Sequence, residues 1–162
     1  FEVPIEGGHP KELIIPNAWH ASYAPDGQKM AYTPIADRFS QWKNYRGGTA
    51  SKIWIFSFGD QSMIEIPKPT SGSNDTKPMM TDKKVFFLSD REGEFNLFSF
   101  DEQTKTINQL TKFTDFPILD AELFGDTIIF EKGGHLYTYN INDQTTTKLK
   151  IGISGVVECK NN

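Results

Sequence analysis

His20, Ser22 and Asp26 fall within one seven-residue stretch of this chain and are the three residue types of a hydrolytic triad. Such a triad works only when nucleophile, base and orienting carboxylate meet from distant segments in the right geometry. In an extended strand His20 and Ser22 merely share a face, so the stretch predicts no catalysis. His9, His20 and His135 lack the spacing of a metal site and sit near turns or strand edges, where surface or hydrogen-bonded roles are expected. The single cysteine, Cys159, excludes an internal disulfide framework and a cysteine-based zinc site, and no neighbour lowers its thiol pKa. The sequence therefore predicts no catalytic residue, no metal ligand and no cofactor. Asn74-Asp75-Thr76 satisfies a glycosylation sequon, but the stretch from Pro69 reads as a connector between structural units.

One stretch is richer. "WKNYRGG" and the residues before it place Arg38, Lys43 and Arg46 among Phe39, Trp42 and Tyr45, and Gly47-Gly48 permits a sharp return into a strand. One reading is a loop folded back so that Trp42 and Phe39 cover a neighbouring unit while the charges stay solvated. The other is a docking or substrate-contacting element built from Arg46, Lys43, Arg38, Trp42 and Tyr45.

The elements that position this loop come from a repeat. "IFSF" at 55–58, "LFSF" at 97–100 and "LYTY" at 136–139 align as aromatic alternations, with Phe56, Phe98 and Tyr137 spaced by 42 and 39 residues. Ahead of them "GQKMAYT", "DKKVFFL" and "GDTIIFE" each place a turn, two polar residues and an apolar run; behind them comes a polar turn and one more strand. β-Branched and aromatic residues alternate between Gly, Asp, Asn and Pro turns, with no sustained helical period. Pro25-Asp26-Gly27 is a turn in which Pro pre-sets φ, Asp bonds the following backbone and Gly accepts positive φ. The run "VFFL" at 85–88 has no polar face and should be buried on both sides.

Four-stranded units recurring at about 40 residues are the sequence form of β-propeller blades. The fold expected is all-β: a partial propeller of three four-stranded antiparallel blades preceded by a two-stranded half-blade. Its boundaries read as a half-blade at 1–15, a blade at 17–69 carrying an inserted loop at 34–51, blades at 74–113 and 116–151, and a tail at 152–162. Too few blades are present to close a ring, so the chain reads as a piece of a longer polypeptide, with pairing to a second copy as the alternative. The 162 residues, 37% hydrophobic and 13% aromatic, can bury one core. A net charge of -4 offers no basic field for a nucleic-acid backbone or an anionic membrane surface. No stretch approaches the 18 or so apolar residues of a membrane span.

"ASYAPDGQKMAYTP" resembles the SPDG-type repeat of TolB-like and PD40 propellers, and "FFLSDREGEFNLFSFDEQTKTINQLTKF" is similar to the same repeat. "FSQWKNYRGGTASKIWI", followed by "NDTKPMMTDKKVFFLSDREGEFNLF" and "GGHLYTYNI", resembles more specifically the first propeller of the tricorn protease family, over nearly the whole chain. That resemblance implies a large serine peptidase of the tail-specific kind, with peptide substrates and a catalytic region outside this chain, for which this propeller is a scaffold or gate. It also implies that a peptide carboxylate is held by a guanidinium, with Arg46 the first choice and Lys43 and Arg38 adding field. "ISGVVECKNN" departs from the family pattern, which would lead into another blade. A TolB-like interaction module and the propeller of a prolyl oligopeptidase-type hydrolase are the alternative functions. Cytoplasmic and periplasmic locations both remain open.

Overall fold

Short aromatic and β-branched runs cut by Asp, Gly and Asn turns become twelve strands in three antiparallel sheets in the computed structural model, which describes residues 1–15, 17–35 and 45–152. The first sheet holds β1 (Ala21–Tyr23), β2 (Lys29–Tyr32), β3 (Trp54–Ser57) and β4 (Met63–Glu65) in sequence order. The second holds β5 (Asp75–Met80), β6 (Lys84–Ser89), β7 (Asn96–Asp101) and β8 (Ile107–Gln109). The third holds β9 (Ile118–Phe124), β10 (Thr127–Lys132), β11 (His135–Asn140) and β12 (Thr146–Lys148). No helix occurs among the described residues. Each sheet is an up-and-down meander, and the first strand of the central sheet, β5, contacts the first strands β1 and β9 of the sheets on either side. These are three blades of an unclosed propeller.

The turn chemistry explains the hairpins. Gly27 sits at φ +69° and its N–H donates to the Ala24 carbonyl at 2.8 Å, while the Asp26 carboxylate accepts the Gln28 N–H at 2.9 Å. The opening segment pairs less than its alternation suggests. Glu2 and Lys11 exchange both backbone hydrogen bonds at 2.8 Å as an isolated bridge. The next hydrogen-bonded pair of that ladder needs an N–H from Pro4, which has none.

Packing follows the two-faced pattern of "VFFL". Val85 and Phe87 join Ala31, Ile55, Phe98 and Phe100 between blades 1 and 2, whereas Phe86 and Leu88 join Leu97, Ile128, Phe130 and Tyr139 between blades 2 and 3. All four residues of the run are buried. Burial of a phenylalanine side chain contributes about 1.5–3 kcal/mol, and this central hairpin places such side chains in both clusters.

Strand pairing corrects the repeat in one place. Tyr32 faces Trp54, Phe87 faces Phe98 and Phe130 faces Tyr137 across the second and third strands of the three blades. Trp54, not Phe56, is therefore the equivalent of Phe98 and Tyr137, and "IWIF" at 53–56 is the segment that aligns. Phe56 faces Met30 and corresponds to Phe100 and Tyr139. A shift of two residues keeps every side chain on its own face, so alternation alone cannot detect it. The ring centroids of these facing pairs lie 6.0, 6.0 and 5.4 Å apart.

Candidate functional site

The inserted loop re-enters the first blade through Tyr45 and Arg46, and these two residues are tied to the blade beside it. Arg46 Nη1 donates to Asp90 Oδ2 at 2.8 Å and to the Tyr45 carbonyl at 3.1 Å, and Nη2 reaches the Asp90 carbonyl at 3.4 Å. The Asp90 carboxylate is 1% exposed and the Arg46 side chain 30%. Asn74 completes the node: its N–H donates to Asp90 Oδ1 at 2.7 Å, and its Nδ2 donates to Asp90 Oδ2 and to the Tyr45 carbonyl, both at 2.9 Å. Three donors on one buried carboxylate satisfy it as fully as a charge in that place requires. Close by, Lys68 Nζ donates to the carbonyls of Ser51, Ser73 and Ala50 at 2.7, 2.8 and 3.4 Å, and burial pushes its ammonium below the usual lysine range.

The sequence-predicted site residues thus divide. Tyr45 and Arg46 are brought together at one end of the first two blades, with Arg46 already holding a carboxylate of its own chain. Arg38, Trp42 and Lys43 lie outside the described residues, as do Phe39 and Cys159. His20, Ser22 and Asp26 are not brought into a triad. Ser22 Oγ accepts the Met80 N–H at 2.9 Å, the His20 N–H donates to Thr33 Oγ1 at 3.2 Å, and Asp26 is committed to its turn. Asn74, Asp90 and Lys68 were missed as partners of the loop. The signal was present for Asp90, which opens the Asp-Arg-x-Gly loop, and absent for Asn74, which reads as a connector residue.

A second feature recurs in every blade at this same end. A cation lies over the third-strand aromatic ring and pairs with a carboxylate. Lys52 is 4.8 Å from the Trp54 ring and 3.3 Å from Glu65; Lys132 is 5.8 Å from the Tyr137 ring, 4.5 Å from Phe113 and 2.7 Å from Asp115. In the central blade Arg91 lies 5.1 and 5.3 Å from the Phe87 and Phe98 rings and 3.0 Å from Asp75. Ser89 Oγ closes that group by donating to Asp75 Oδ1 at 2.6 Å. Cations over aromatic faces gain about 0.5–2 kcal/mol, more where water is excluded.

The sequence and the fold match known proteins. Residues 1–145 match the model of the tricorn protease N-terminal beta propeller domain. The chain belongs to that tricorn propeller family. Among curated relatives, the tricorn protease homolog of Saccharolobus solfataricus is 36% identical over 112 residues, covering 69% of this chain and 10% of that protein. The tricorn protease of Thermoplasma acidophilum is 31% identical over 154 residues, covering 94% of this chain and 14% of that protein. The crystal structure of the tricorn protease superposes with a TM-score of 0.72 at 28% identity, over 87% of this chain and 13% of that one. The tricorn relatives are thus several times longer than this chain. A putative TolB from Agrobacterium tumefaciens superposes with a TM-score of 0.60 at 14% identity, a likeness of fold alone.

Proposed function

We infer that this tricorn propeller works in its parent protein as a non-catalytic scaffold or gate. It holds or channels peptides toward a hydrolytic region carried elsewhere in the polypeptide, and the WKNYRGG loop is the element that meets the peptide. The node at Asp90 carries this reading. A buried carboxylate with three donors is an expensive way to end a surface loop, and it fixes the point where the basic and aromatic insertion returns to the blade. The same pair favours a second reading, in which Arg46 braces the first blade against the second and has no substrate to meet.

One experiment separates the two. In the full-length protein, Arg46→Ala is expected to lower kcat/KM for peptides with a free C-terminus by about 1 to 3 kcal/mol, the range of a charged hydrogen bond, and to spare amidated peptides. An equal loss on both substrates, together with a lower Tm, assigns Arg46 to bracing alone.

A further inference from the structure

The limb on which the inserted loop returns, residues 45–51, lies against the connector from β4 to β5, residues 66–74, and meets it at three places. Asn74 Nδ2 holds the Tyr45 carbonyl at 2.9 Å. Gly72, at φ +76°, leaves room for Arg46, because a Cβ at this position would lie 2.9 Å from Arg46 Cδ. The third place is Lys68. Its Nζ reaches the Ser51 and Ala50 carbonyls on the limb at 2.7 and 3.4 Å and the Ser73 carbonyl on the connector at 2.8 Å.

An ammonium has three N–H donors and no acceptor, so three carbonyls use it completely. All three belong to the backbone, and the contact therefore fixes the path of the chain rather than the place of a side chain. The Ser51 carbonyl also accepts the Asp75 N–H at 3.0 Å, and the Ala50 N–H closes a turn onto the Gly47 carbonyl at 2.9 Å. Lys68 thus draws together the end of the loop, the connector and the first residue of β5. Burial pushes its ammonium below the usual lysine range, while the Asp75 charge draws it back up. A cation disfavoured by its own burial contributes position more than net stability.

We propose that Lys68 is the latch of the inserted loop: its ammonium fills a cage of three carbonyls and so fixes the limb that carries Tyr45 and Arg46. The blades themselves do not depend on it. The cage recognises a primary ammonium, since three converging acceptors match its three N–H bonds, whereas a neutral hydroxyl brings one donor and a guanidinium confines its donors to a plane. This assignment concerns how the loop is held, and it stands whether or not the loop meets a peptide.

The test is amide hydrogen exchange in the full-length protein, read at Ala50 and Asp75, whose N–H groups bond to carbonyls of this limb. Lys68→Met keeps the length and the apolar stem. It should speed exchange at both amides by about tenfold or more, as loss of a charge-assisted bond allows, and leave β6, β7 and β10 unchanged. In Lys68→Ala, n-propylammonium restores the three carbons and the ammonium that the substitution removes, and it should slow both amides again; n-propanol should not. Unchanged exchange at Ala50 and Asp75 in Lys68→Met overturns the latch. Acceleration of equal size in all three blades, or variants that fail to fold, also overturns it by making Lys68 a general stabiliser. Equal rescue by n-propanol, or rescue by neither compound, overturns the ammonium cage.

Discussion

Replacing Arg91 by methionine should loosen the central blade more than any other single loss of charge described above. The change keeps length and apolar bulk but removes the cation paired with the Asp75 carboxylate, whose side chain is 0% exposed and which still accepts from Ser89 Oγ. Removing one partner of a buried pair costs about 3–5 kcal/mol, because the other charge stays buried and uncompensated. The cation lost from over the Phe87 and Phe98 rings adds to that side of the balance, and methionine packing against the same rings offsets part of it. At about 1.4 kcal/mol per tenfold, amide hydrogen exchange in β6 and β7 should accelerate by roughly two to three and a half powers of ten in the full-length protein. Lys52→Met is the control. Its pair with Glu65 is 33% and 43% exposed, so exchange in β3 should change by less than about 1 kcal/mol. Asp75→Asn combined with Arg91→Met should recover about 2 kcal/mol or more relative to the sum of the single changes. A loss below about tenfold for Arg91→Met, or strict additivity in the double variant, would refute the account of a buried, mutually dependent pair.

Further outcomes follow from single side chains. The Lys132 ammonium, bonded to both oxygens of Asp115 at 2.8 and 2.7 Å, holds that carboxyl below the usual carboxylate range. Its stabilising contribution is present above the unfolded pKa, about 3.9, and is lost as pH falls through the lower folded value. Asp115→Asn should therefore lower Tm at neutral pH, and the gap to the unaltered protein should close at the acid end; a gap independent of pH would contradict this. Phe87→Ala, at a residue with 0% exposure, should cost about 3–5 kcal/mol by exchange in β6, whereas Phe124→Ala, at 92%, should stay within about 0.5 kcal/mol.

Much of the architecture is legible in the chain because blades impose a period and two-sided burial leaves a mark. "VFFL" announces a strand between two cores, and Pro25-Asp26-Gly27 announces its turn, since both depend on local chemistry. The error over Phe56 has the same origin, because two residues is the repeat of a strand and only pairing with β2 distinguishes Trp54 from Phe56. The site is far less legible. Arg46 is conspicuous as a charge, but its partner Asp90 lies 44 residues away, and Asn74, which binds both Asp90 and Tyr45, resembles any connector asparagine. Such partners are set by how one blade lies on the next, which no local pattern encodes. The cation over each third-strand ring is equally hidden, as Lys52, Arg91 and Lys132 occupy different offsets from their aromatic partners in the sequence.

The polar ties between blades differ in where they act. Blades 1 and 2 are joined at three levels along the strands: Lys29 to Glu102 at 2.8 Å near the hairpin turns, Ser22 to the Met80 N–H at the inner edge, and Arg46 to Asp90 at the opposite end. Blades 2 and 3 share the Lys77–Asp120 pair and the bond from the Ile118 N–H to the Phe95 carbonyl at 2.9 Å, both made from β9. Fasteners spread along a seam resist twisting, whereas a fastener at the inner edge acts as a pivot. Torsion across the first seam would therefore load polar contacts at three separate levels, whereas torsion across the second would load the contacts of β9 and the core around Phe86, Leu88, Ile128 and Phe130.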